Sequence, residues 1–161
     1  MKQRLSRRAW SAPHLDGRRP RLLVEDDRPA LAISDFSLFR EAGFEVAFCS
    51  GPGHDAQACP LLRGQPCSLV AGADVVLHGL DPNLGIAAAI RHERPELPVV
   101  IEQSRRENDG ADRVPAGCVT LSYACSVNGQ IAALLRAEAD ARHEASAGRQ
   151  LRAAAEERAC A

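Results

Sequence analysis

The chain has 161 residues, 45% of them hydrophobic and 25% charged, which suits one soluble globular domain with a real core. A net charge of −1 gives no bulk drive toward nucleic acid or an anionic membrane, and 4% aromatic residues leave few platforms for stacking on single strands. No apolar run approaches the roughly 20 residues that cross a bilayer. Neither nucleic acid nor membrane is expected as a partner.

Residues 1–20 are basic and hold no continuous apolar stretch of a secretory leader, so they read as a disordered arm. Cytoplasmic placement is the expectation, and the six cysteines, Cys49, Cys59, Cys67, Cys118, Cys125 and Cys160, read as reduced thiols. From Arg21 on, short apolar runs alternate with helical stretches, the pattern of an α/β domain with a parallel sheet. Leu22-Leu23-Val24 is a buried strand that ends in Glu25-Asp26-Asp27. Pro29 opens a helix that runs to about Ala42 and stops at Gly43. Phe44, Val46 and Phe48 alternate in a second strand.

Residues 50–72 are dense in glycine, proline and cysteine and hold at most a short helix, so they read as an insertion or a remodelled connection. Asp74 to Leu80 is the third strand, residues 87–94 a helix that must end before Pro95, and Pro98 to Ile101 the fourth strand. Residues 104–117 are a polar loop, and Cys118 to Leu121 the fifth strand. From Ser126 the chain turns helical, with Ile131, Leu134 and Leu135 facing inward. Beyond residue 137 the predicted helix becomes an exposed tail with a break at Gly148; its apolar surface is too small for a sustained coiled-coil seam. Five strands alternating with helices fit the doubly wound, flavodoxin-like order, whose crevice lies at the carboxyl ends of strands one and three.

The segments RLLVEDD, REAGFEVAFCS, ADVVLHGLDPNLG, ELPVVIEQS and GCVTLSYACS resemble the response-regulator receiver (CheY-like) family over residues 21–137. The resemblance implies a five-stranded parallel receiver fold, to which this chain adds the extended C-terminal helix. It also implies a Mg²⁺ site made by an acidic pair after strand one and an acceptor aspartate after strand three. A hydroxyl residue and a lysine after strands four and five would then read the phosphoryl group. The acidic residues Glu25, Asp26 and Asp27 are present. Gly79 stands at the acceptor position and has no side chain to phosphorylate. Gln103 stands at the hydroxyl position, Leu121 at the lysine position, and Ser122-Tyr123 replaces the usual Pro-Phe. Of the 20 basic residues 19 are arginine, and with Lys2 the lone lysine no shift of register supplies another.

Asp81, two residues past Gly79, reads as a turn or helix-start residue rather than a substitute acceptor. His78 faces opposite to Gly79 and reads as a packed histidine. The acidic pair retains at most a weak Mg²⁺ affinity. The implied function is a degenerate receiver acting in phosphorelay-type signal transduction by protein–protein contact. Its surface would include Ser122, Tyr123 and Ile131 to Leu135, and the tail would be open to a protein partner or a homodimer. The alternative is a metal- or redox-sensing module, with Cys49, His54, Cys59 and Cys67 as soft ligands for Zn²⁺, although the tight C-x2-C pairs of strong zinc sites are absent. No P-loop, dinucleotide fingerprint or nucleophile elbow is present, and no enzymatic activity is expected.

Overall fold

The computed structural model describes residues 7–10, 19–53, 58–102, 114–121 and 125–159. Its strands are β1 (Arg7–Arg8), β2 (Arg21–Glu25), β3 (Glu45–Cys49), β4 (Val75–His78), β5 (Val99–Glu102) and β6 (Val119–Leu121). The helices are α1 (Pro29–Glu41), α2 (Ser68–Ala71), α3 (Ile86–Glu93) and α4 (Val127–Ala159). One sheet runs in the order β1-β3-β2-β4-β5-β6. The five strands from β2 onward are parallel, and their order is that of the flavodoxin-like doubly wound sheet.

Alternation along the strands sorts the core into two layers. Leu22, Val24, Val46, Phe48, Val75, Leu77 and Val100 pack with Phe36 and Phe39 of α1 and Leu134 of α4. Phe36 and Phe48 meet edge to face with centroids 5.7 Å apart. On the opposite face Leu23, Ala47, Val76 and Val99 pack with Leu69, Val70, Ile86 and Ile90 from α2 and α3. Burying each such leucine or isoleucine contributes roughly 2 kcal/mol. Strands buried on both faces require these near-continuous apolar runs.

The Gly/Pro-rich connection holds a 3₁₀ turn (Leu61–Arg63) and the four-residue α2, in line with a segment able to carry only a short helix. Arg94 closes α2 by donating from one guanidinium nitrogen to the carbonyls of Val70, Ala71 and Ala73, at 3.1–3.3 Å.

Two expectations are corrected. Part of the basic arm is ordered: Arg7–Arg8 pairs antiparallel with β3, which makes a sixth strand. The cause is Trp10. Its indole N–H donates to the Leu69 carbonyl at 3.1 Å, and its ring lies 5.2 Å from the guanidinium carbon of Arg21, a cation–π contact. The ring also lies so close to Gly72 that a Cβ there would sit 2.5 Å from the indole nitrogen. The second correction is at Gly148, where α4 does not break. A single helical glycine costs only about 1 kcal/mol relative to alanine, and alanine, arginine, glutamine and leucine on either side favour the helix.

Candidate functional site

The strand order reverses between β2 and β4, so the candidate crevice opens where these two strands end, at Glu25-Asp26 and His78-Gly79. The register pairs Glu25 with Cys49 on one side and with His78 on the other, and His78 with Ile101. Alternation turns this row toward α2 and α3, and turns Asp26 toward α1 and α4.

Glu25 is 4% exposed and His78 1% exposed, and Nδ1 of His78 lies 2.7 Å from Oε2 of Glu25. Nδ1 shares a hydrogen bond with the Glu25 carboxyl group, and Nε2 is buried and without a hydrogen-bond partner among the described residues. A carboxylate in this setting is held by its partner rather than presented to solvent. The sequence reading saw His78 as a packed histidine but missed its partner. The signal was available: aligning the two strands from their apolar runs sets residues 25 and 78 side by side.

Asp26 is satisfied by a different residue, which sequence reasoning also missed. Arg28 donates its backbone N–H to Oδ1 at 2.6 Å, its Nε to Oδ1 at 3.1 Å and its Nη2 to Oδ2 at 3.1 Å. The side-chain bond to Asp26 raises the Arg28 pKa, with smaller contributions from the charges of Asp26, Glu102 and Asp27. Asp27 is exposed and 3.7 Å from Arg28 Nε. Glu102 lies at the end of β5, where Gln130 of α4 donates to it at 3.3 Å; burial pushes its carboxyl pKa up.

Gly79, which the resemblance sets at the acceptor position, directly follows β4. Its N–H donates to the Glu25 carbonyl at 2.7 Å, and a Cβ built on it would be 3.6 Å from Oδ2 of Asp26 and 3.3 Å from the Glu25 carbonyl oxygen. The position faces Asp26 but supplies no side-chain oxygen. Asp81 lies outside the crevice on an exposed turn, where its Oδ1 accepts from the backbone N–H and the side-chain nitrogen of Asn83, both at 2.8 Å. Leu121 is half-buried at the end of β6 and packs against the α1/α4 layer. Gln103, Ser122 and Tyr123 lie outside the described residues.

These donors do not fit the divalent cation that the resemblance implies. Mg²⁺ takes oxygen ligands in near-octahedral geometry. Here Glu25 is tied to His78, both oxygens of Asp26 are tied to Arg28, and residue 79 has no side-chain oxygen to give. The cysteine loop divides likewise. Cys67 belongs to the α2/α3 core, with Cys49 and Cys59 packed against it, and all three thiols are free. Burial pushes the Cys49 thiol up to about 11. No group of three metal-ligating side chains is assembled among the described residues, and His54 lies outside them. No helix among the described residues is long and apolar enough to cross a membrane.

No protein-family model and no curated protein sequence matches the chain. Solved structures do. A receiver domain from Clostridium thermocellum is 17% identical, with a TM-score of 0.60 over 76% of this chain and 97% of its own. The signal receiver domain of an HD-domain-containing protein from Pseudomonas fluorescens is 16% identical, with a TM-score of 0.60 over 84% and 98%. A transiently phosphorylated switch of bacterial signal transduction is 19% identical, with a TM-score of 0.56 over 78% and 98%. Sheet order, two-layer core and these likenesses agree, and the chain has the response-regulator receiver fold.

Proposed function

We propose that the chain is a receiver-type module of signal transduction that works by protein–protein contact and not by ordinary aspartyl phosphorylation. The observation that carries this reading is Gly79, whose position faces the Asp26 carboxylate without offering a nucleophile. Phosphoryl transfer to a carboxylate needs an attacking oxygen placed in line with the donor and a cation to neutralise developing charge. Residue 79 supplies no such side-chain oxygen beside Asp26, and among the described residues Glu25 and Asp26 are committed to internal partners. What remains for output is surface: Val119 on β6 and Leu135 on α4 are large apolar side chains left 45% and 40% exposed.

Incubation of the full chain with acetyl phosphate and Mg²⁺, followed by intact-mass measurement, is the test. No phosphoryl adduct is expected. An adduct on the wild-type chain that disappears in Asp81→Ala would overturn the reading and make Asp81 the acceptor.

A further inference from the structure

One part of the misfit between the rim and a divalent cation is a single side chain, Arg28. We propose that Arg28 is a tethered cation, its guanidinium bound where a divalent ion would have to engage Asp26, so that the pocket is charge-compensated from within and does not take Mg²⁺. This deepens the reading above and rests on it for the identity of the excluded ion. Its test reads metal binding rather than phosphoryl transfer, so the two fail separately.

Three hydrogen bonds from a single residue reach the two oxygens of Asp26. Arg28 is only two positions along the chain, so its effective concentration at Asp26 is far above that of any free ion. The planar fork matches the carboxylate with both partners fixed, which a hydrated point charge does not do. Asp26 is 9% exposed, and the Arg28 side chain covers it while staying half-exposed itself. An ion that engages both oxygens of Asp26 must displace the guanidinium and finds no side-chain oxygen at residue 79 in return.

The surrounding charge shows why the arginine is needed. Asp26, Asp27 and Glu102 act electrostatically on Arg28, and Asp35 acts on Glu102, so four carboxylates share this corner. Without the guanidinium they would form an anionic pocket that favours a small hard cation. The sequence thus retains the acids of a cation site and carries its cation covalently.

Thermal unfolding of the full chain, with and without Mg²⁺, tests the proposal alongside Mn²⁺ binding measured by water-proton relaxation. The wild type is expected to unfold identically at zero and at about 10 mM Mg²⁺ and to bind no Mn²⁺ that depends on Asp26. Arg28→Gln is expected to gain about tenfold in its folding constant over the same range, as a site of about 1 mM dissociation constant gives. The gain should vanish in Asp26→Asn/Arg28→Gln. An Arg28→Gln protein as indifferent to Mg²⁺ as the wild type overturns the proposal. If that variant does not fold, the wild type decides alone: Mn²⁺ binding lost on Asp26→Asn overturns the proposal, and no such binding supports it.

Discussion

The two sides of the sheet's carboxyl rim solve the same problem in different ways. On the α2/α3 side Glu25 is sealed in and meets His78, a partner 53 positions away. On the α1/α4 side the adjacent Asp26 meets Arg28, which is two positions away and half-exposed. Both carboxylates are buried, and the partner makes the difference: His78 is sealed in and Arg28 is half-exposed. The carboxylate under the α2/α3 layer has its partner built into the neighbouring strand, which offsets the cost of burying it. One at the open edge can be closed by a side chain that folds over it from the following turn. Neighbouring acidic residues at one strand end therefore carry unequal structural weight.

That contrast is broken most directly at His78. His78→Leu strands the Glu25 carboxylate in the core, and a loss of about 3 to 5 kcal/mol is expected in urea unfolding. Glu25→Leu/His78→Leu removes both polar groups and should recover most of it. A single variant within about 1 kcal/mol of wild type would show that the pair is not structurally committed.

A smaller effect should appear beside it, at Cys49, on the same buried side. Its thiol is raised from 9.0 to about 11 by burial. A group raised in the folded state contributes stability that is full below its unfolded value and lost as pH rises through its folded value. Stability should therefore fall between pH 9 and pH 11, by on the order of 2 kcal/mol. Cys49→Ala should flatten that slope; an unchanged slope would show that Cys49 is not its source.

The open side should yield the smallest change. The Glu102 carboxyl is raised by burial, with Arg28 opposing the shift, so its ionisation costs stability as pH rises through its folded value. Glu102→Gln should raise the neutral-pH unfolding free energy, by less than about 1 kcal/mol once solvent screening is counted. A gain as large as the His78 loss would erase the distinction between the two sides.

How much was legible in the sequence follows the range of the forces involved. The apolar runs at residues 22–24, 75–77 and 99–101 and the helix stops at Gly43 and Pro95 are local signals, and the strands and helices lie within a residue or two of where they point. The short helix at Ser68–Ala71 was foreseeable because Gly and Pro leave so little room. Trp10 was not legible, because its worth depends on Leu69, Gly72 and Arg21, which only the folded sheet brings to it. Gly148 misled because glycine was read as punctuation, whereas a run of good helix formers absorbs one glycine.

The sequence by itself determined the alternation of strands and helices, the acidic residues at 25–27, the glycine at 79 and the absence of any lysine beyond Lys2. These are matters of residue type and short spacing, visible without a fold. Only the tertiary structure decided what the acids do. Parallel register set Glu25 against His78, and the turn after β2 folded the Arg28 guanidinium onto Asp26. The physical reason is that a carboxylate acquires its role from burial and from the donors within about 3 Å of it, and neither is a property of the residue alone.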